Sequence, residues 1–248
     1  MKTFFLFLTG LLLALGSAAQ ADTINPQSAK LRAGALKEGK ASYAIYFEDS
    51  LHRRLSSADI WDRSIRFTTS PEGREVFEFE WTAWRKDTLV SKVWTTGDRK
   101  TLAPLTHRAD YRARGTFSYL FTGDVVTVPE SSRLTARDSA FSVTMSPAAF
   151  AFPMDLELFP LLPFKKAGQQ FAMAYYEPGS PKSAYYNLTV TGRETLPLAG
   201  GASVDCWTLR IDYRPNSYAT FWITDKTREV VKMQEYFSGR YRYKVRLY

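Results

Sequence analysis

Few side chains in this sequence are equipped for covalent or acid–base chemistry. Cys206 is the single cysteine, and His52 and His107 are the two histidines. Cys206 sits in Val204-Asp205-Cys206-Trp207-Thr208-Leu209, whose alternation predicts mid-strand, where a thiol packs as a small apolar group. A nucleophilic thiol needs an electropositive, partly exposed setting such as a helix N-terminus, which this run does not offer. Zinc needs closely spaced Cys or His ligands, and one cysteine with two distant histidines does not supply them. Glu78 and Glu80, two apart on a strand, would stand about 7 Å from each other, a separation that overlaps that of a glycosidase carboxylate pair. The same spacing is ordinary on the wet face of an antiparallel sheet. The sequence therefore predicts no enzyme, no metal and no cofactor.

Binding chemistry is better represented. In the last nine residues Arg240, Arg242, Lys244 and Arg246 alternate with Tyr241, Tyr243, Val245 and Leu247, so a strand there puts cations on one side and apolar groups on the other. The apolar side is expected to wall a core or cavity. The cationic side is expected to face water, where it either blunts a sheet edge or meets an anionic headgroup or partner. Arg108, Arg112 and Arg114, with Asp110 among them, read as a second stripe on one strand, opposite Ala109, Tyr111 and Ala113.

The apolar counterpart is 150–164, which holds Phe150, Phe152, Met154, Leu156, Leu158, Phe159, Leu161, Leu162 and Phe164 together with Pro153, Pro160 and Pro163. Proline at that density prevents a continuous strand or a long helix. Ser146-Pro147 ahead of it reads as an N-cap followed by proline at the first helical position. One or two short helices are expected to lie across the sheet, either as plain core cover or as the lining of a ligand cavity. Trp81, on a face shared with Phe77 and Phe79, and Trp222 are further candidates for that lining.

Strands must position these groups. Aromatic residues make up 15% of the chain and favour half-buried pleated surfaces, which points to an all-β fold with a few short helices. Tyr43, Ile45 and Phe47 alternate with Ala44, Tyr46 and Glu48. Ser70-Pro71-Glu72-Gly73 combines a fixed φ with a glycine free to take a positive one, and predicts a hairpin turn. Four alternating runs in 204–248 predict an antiparallel meander. No Pro-, Gly- or Ser-rich linker and no long-period repeat interrupts the pattern, so 22–248 reads as a single domain.

Lys2, the apolar run from Phe4 to Leu15 and Ala19-Gln20-Ala21 form the three parts of a secretory signal peptide over 1–21. The apolar run is shorter than the ~20 residues that cross a membrane as a helix. A periplasmic location is expected, with no cysteine at the cleavage point to carry a lipid anchor. The net charge of +8 falls by one with the loss of Lys2, and such a balance favours an anionic partner. Export argues against nucleic acid and leaves a membrane surface, an acidic glycan or an envelope protein.

The closing region carries a resemblance. Val204-Asp205-Cys206-Trp207-Thr208-Leu209, then Ala219-Thr220-Phe221-Trp222-Ile223-Thr224-Asp225-Lys226-Thr227, resembles the aromatic-Trp-Ile-x-Asp-Lys-x-Thr hairpin of the LolA/LolB-like superfamily of periplasmic lipoprotein carriers and of related exported domains of unknown function. Thr101 to Gly123, and Asp155-Leu156-Glu157-Leu158-Phe159-Pro160-Leu161-Leu162-Pro163 followed by Gly168, are similar to those uncharacterised domains. The resemblance implies a single curved antiparallel sheet forming an unclosed β-barrel of about eleven strands, with short helices on the concave side and an apolar cavity for acyl chains. The carriers' binding arginine has no matching position here, and no binding residue is carried over. The expected function is a periplasmic binding protein for an acyl chain, lipid or other amphiphile. The alternative is a non-catalytic structural or regulatory envelope module that binds a partner protein or acidic glycan through its basic face.

Overall fold

The computed structural model describes residues 21–247, so the expected signal peptide, apart from Ala21, lies outside the described residues. The strands are β1 (Asp22–Ile24), β2 (Gly39–Asp49), β3 (Asp59–Thr69), β4 (Glu75–Arg85), β5 (Thr88–Asp98), β6 (Pro104–Tyr111), β7 (Gly115–Thr122) and β8 (Val125–Thr127). After helix α1 (Ala136–Ala140) come β9 (Ser142–Thr144), β10 (Phe150–Ala151), helix α2 (Asp155–Leu158), β11 (Gln170–Tyr176), β12 (Ala184–Pro197), β13 (Ser203–Arg214), β14 (Ser217–Thr224), β15 (Val230–Phe237) and β16 (Arg240–Arg246). All sixteen belong to one sheet, in the order β1-β11-β12-β13-β14-β15-β16-β2-β3-β4-β5-β6-β7-β8-β9, with β10 also paired to β11. The count exceeds the expected number of about eleven, and four of the sixteen, β1, β8, β9 and β10, have only two or three residues each, which leaves twelve longer strands.

The pairing is antiparallel except where β1 and β10 run parallel to the free edge of β11. The sheet curves on itself without closing. Register shifts at Ala83/Trp84, Thr96/Gly97, Val190/Gly192, Asp212/Arg214 and Trp222/Ile223 are bulges of the kind that increase twist and bend a sheet. Where the two ends approach, side chains replace the missing ladder: Phe121, Val126, Met145 and Ala149 pack with Ala174 and Tyr176 of β11. Short strands at both margins leave little free edge.

Ser70-Pro71-Glu72-Gly73 is the β3–β4 turn, with Gly73 at φ 80°. The four runs of the closing region are β13 to β16 in consecutive pairing. Two local expectations fail. Ser146-Pro147 opens no helix: the chain runs on into β10, and the helical stretch starts only at Phe152, as a 3₁₀ turn Phe152–Met154, α2 and a second 3₁₀ turn Phe159–Leu161. The stripe Arg108 to Arg114 is not one strand either, because β6 ends at Tyr111.

The helical stretch fills the concave side. Met154, Leu156, Leu158, Phe159, Leu161 and Leu162 are all buried in the same cluster as Ile45, Phe79, Leu209 and Phe221, and the Phe159 ring stands 4.8 Å from that of Phe221, edge on.

Candidate functional site

Directly opposed residues of an antiparallel pair share a face, which fixes the orientation of β16. Lys244 lies opposite Met233 and Ile45, both buried in the main core. Arg242 lies opposite Glu235 and Arg246 opposite Tyr43. The cationic side of β16 therefore faces the concave interior, and the expected division of faces is reversed. Tyr241, Tyr243 and Val245 look outward, where Tyr243 stacks on Tyr46 at 4.9 Å and Tyr241 on His52 at 4.6 Å. An outward aromatic stripe is possible because neighbouring rings and the β2–β3 connection cover it.

Inward cations need counter-charges, and the helical stretch supplies them. Asp155 and Glu157, two residues apart in α2, bring carboxylates down onto the sheet. Arg63, in β3 and 4% exposed, donates from Nε to Glu157 Oε1 at 2.8 Å and from its terminal nitrogen to Pro153 O at 2.7 Å. The same nitrogen is 3.6 Å from Asp155, which also accepts from Lys244 Nζ at 3.4 Å. Burial opposes the Arg63 charge, but Glu157 and then Asp155 more than offset it and raise its pKa. At Lys244 burial prevails over Asp155 and pushes the ammonium down to about 8. Arg242 pairs with Glu235, and Arg246 with Glu229 at 2.8 Å.

Beside this network lies an open cleft of about 470 Å³, within the usual size of a small-molecule site. Trp61, Trp81, Tyr111, Phe152, Tyr186 and Tyr213 form its aromatic wall, and Arg63, Asp155, Glu235, Arg242 and Lys244 its charged one. Trp81 Nε1, and the hydroxyl of Tyr175 behind Phe152 and Tyr186, are buried without a hydrogen-bond partner among the described residues. Buried polar atoms are normally paired, so Trp81, which lines the cleft, has a donor to spare, while the Tyr175 hydroxyl lies behind the wall. A smaller opening of about 150 Å³ lies on the other side of Arg63, lined by Tyr43, Glu157, Glu229 and Arg246 among others.

Of the expected cavity residues, only Phe152 and Trp81 line the cleft. Leu161 lines the smaller opening, and Phe150, Met154, Leu158, Phe159, Leu162 and Phe164 are buried packing. Trp222 faces away from Phe221 on the outer side, where its Nε1 donates to Glu194 at 2.7 Å and Lys232 lies over its ring. Of the expected headgroup residues, Arg242 and Lys244 reach the cleft and Arg246 the smaller opening. Arg240 is exposed at the start of β16, Arg108 sits outside between Asp110 and Trp94, and Arg112 and Arg114 occupy the β6–β7 turn.

Sequence reasoning passed over Trp61, Arg63, Asp155, Tyr186, Tyr213 and Glu235. One signal was available: Trp61, Arg63, Ile65 and Phe67 share a strand face, so Arg63 is a charge in an otherwise apolar register. Cys206 is buried and its thiol is pushed up to about 11, by burial first and then by Asp205 and Glu194. Glu78 and Glu80 are tied on the outer face to Arg66 and Lys92. Among the described residues no cluster of three or more His, Cys, Asp or Glu could hold a metal ion, and no helix is long and apolar enough to cross a membrane.

The family described as "Protein of unknown function (DUF3108)" matches residues 51–246. No curated protein matches the chain. Among solved structures, the chain is similar to a beta-barrel-like protein of the domain of unknown function DUF1849 from Brucella abortus, at 10% identity and TM-score 0.47, over 86% of this chain and 96% of the other. It is also similar to a protein from Bacteroides fragilis described as exported and with a YmcC-like fold, at 10% identity and TM-score 0.34, over 85% and 94%. A third, from Parabacteroides distasonis and described as a lipoprotein, shows 9% identity and TM-score 0.31, over 85% and 94%.

Proposed function

We propose, for a chain that belongs to the DUF3108 family of proteins of unknown function, that it is an exported, non-catalytic binding protein for an amphiphile seated in the aromatic cleft. One observation carries this reading: two inward cations, Arg242 and Lys244, stand beside an aromatic wall around an open cleft in the concave side of the sheet. An anionic group on the ligand would meet those cations. Its apolar body would lie on Trp61, Trp81, Phe152 and Tyr186, with about 0.8 kcal/mol gained per buried methylene. Beneath the helical stretch only the opening of about 150 Å³ remains, so the larger space for a ligand lies beside it. That favours a compact apolar body or a short chain segment over a long acyl chain enclosed end to end. A periplasmic setting accords with the signal-peptide pattern of 1–21. The alternative of a basic partner-binding face gains nothing from β16, where three of the four cations point inward.

The test is titration with a fluorescent fatty acid, together with organic extraction of protein purified from its native host. Saturable binding to one site, weakened roughly tenfold by Lys244→Met and by Trp81→Ala, is expected, on the scale of one lost charge-assisted contact or one aromatic wall. Absence of saturable binding, or binding that neither substitution changes, would refute the assignment.

A further inference from the structure

In an antiparallel meander alternate connections fall at the same end of the sheet. The β2–β3, β4–β5, β6–β7, β13–β14 and β15–β16 connections therefore meet at one end, the end toward which the cleft residues Tyr111, Tyr213, Ser217 and Arg242 lie. The β2–β3 connection is unusual in what it exposes. Leu51 is 70% and Leu55 55% exposed, yet the turn that carries them is tightly tied. Asp49 Oδ1 accepts from the backbone of Leu51 and of Arg53, each at 2.9 Å, and Arg53 Nε donates to Asp49 Oδ2 at 2.7 Å. Asp49 N donates to Arg53 O at 3.0 Å and Leu55 N to Phe47 O at 2.9 Å. Arg54 lies 3.7 Å over the Tyr46 ring, and His52, at φ 59°, stacks on Tyr241. A turn so constrained holds its leucines in water by construction. Around them stand exposed arginines: Arg112, Arg214 and Arg240 have no ion-pair partner among the described residues, and Arg53 is paired only within its own turn.

We propose that this end of the barrel docks on an anionic phospholipid surface, with Leu51 and Leu55 entering the headgroup–acyl boundary and the rim arginines on the phosphates. Exposed apolar side chains flanked by cations are the two elements of interfacial attachment. The opposite end also carries exposed cations, including Arg74 and Lys226, so charge alone does not select an end. Leu198 and Leu247 are exposed at that end too, at 47% and 50%. Leu51 and Leu55, however, stand together on one tied turn, surrounded by arginines that have no ion-pair partner among the described residues, and that combination selects the end and places the cleft mouth toward the bilayer. Docking is separate from what the cleft holds, and the two are read by different assays.

The experiment is co-sedimentation of the purified protein with vesicles of phosphatidylcholine alone and of equal parts phosphatidylcholine and phosphatidylglycerol. Partition onto the anionic vesicles is expected to exceed that onto the neutral ones and to weaken as salt screens the arginines. Leu51→Asp with Leu55→Asp is expected to lower it at least about tenfold, with the urea midpoint and fatty-acid titration unchanged. Leu198→Asp, at the other end, is expected to leave it intact. Equal partition onto both vesicle types overturns the proposal. So does full anionic-vesicle binding by the double leucine variant, which would mean adsorption by charge alone, or loss of binding in Leu198→Asp, which would place contact at the wrong end.

Discussion

Arg63→Met removes the cation that ties the helical stretch to the sheet. The arginine makes two hydrogen bonds to Glu157 and one to the carbonyl of Pro153, and it lies 4.8 Å from the Phe79 ring. Methionine keeps much of the apolar stem but leaves Glu157 and Pro153 O without their donor, and Asp155 with Lys244 alone. Removing one partner of a buried ion pair costs about 3–5 kcal/mol. At roughly 2–4 °C per kcal/mol for a domain of this size, that is a fall in Tm of about 10 °C. Urea unfolding followed by tryptophan fluorescence, with six tryptophans distributed over the sheet, measures the loss directly. Replacing both partners, Arg63→Met with Glu157→Leu, should recover at least half of the loss, because apolar packing of similar volume often equals or exceeds a buried pair. A single-variant loss below about 1 kcal/mol, or a double variant less stable than Arg63→Met alone, would show that the pair is not the tie.

Two further outcomes follow from buried positions in the β4–β6 part of the sheet. A methyl group on Gly97 would stand 2.3 Å from the Phe77 ring and 2.7 Å from Ala103 O; Gly97→Ala should cost about 1–3 kcal/mol by overpacking, read as a lower urea midpoint, and an unchanged midpoint would refute the close approach. His107 is buried beside Thr95, with Nδ1 2.9 Å from its hydroxyl, and burial pushes its pKa down to about 4 from an ordinary 6.5. Only the unfolded chain then binds a proton between those values, so the His107 contribution is complete above pH 6.5 and is lost as pH falls toward 4. At pH 5 this amounts to about 2 kcal/mol. His107→Gln should lose correspondingly less stability than the parent between pH 7 and pH 5, and an identical loss in both proteins would contradict the assignment.

The strands were legible because alternation of period two states which residues share a face. It does not state which face is inside. In β16 both sides carry long side chains, and the usual rule, apolar in and charged out, selected the wrong one. What reversed it lies elsewhere in sequence: the carboxylates of Asp155 and Glu157, Glu229 just before β15 and Glu235 on β15 give every inward cation a partner, while Tyr46, Tyr236 and His52 cover the outward tyrosines. Neither condition can be read from β16 alone. The helical stretch shows the same limit from the other side. Its prolines and leucines predicted short helices over the sheet, but apolar content cannot distinguish residues that fill a core from residues that line a space: Phe152 reaches the cleft, Leu156 and Leu161 the smaller opening, and the other leucines and phenylalanines are core.

The position of Arg63 joins these observations. Its guanidinium contributes to the walls of both interior openings, the cleft of about 470 Å³ and the smaller one of about 150 Å³, with Asp155 on the first side and Glu157 on the second. The ion-pair network is therefore also a partition across the inside of the unclosed barrel. A barrel filled only by leucine and phenylalanine would have no need of charge there, and two apolar residues in place of Arg63 and Glu157 would cost little stability. The carboxylates bring a compensating property: Asp155 holds the Lys244 charge at the cleft wall, where burial alone would favour the neutral amine. The charged tie beneath the helix thus keeps a charged Lys244 at the cleft wall, with the Arg63 guanidinium between the two openings. It follows that the double variant Arg63→Met with Glu157→Leu, although stable, should keep its cleft affinity only as long as Asp155 remains paired with Lys244.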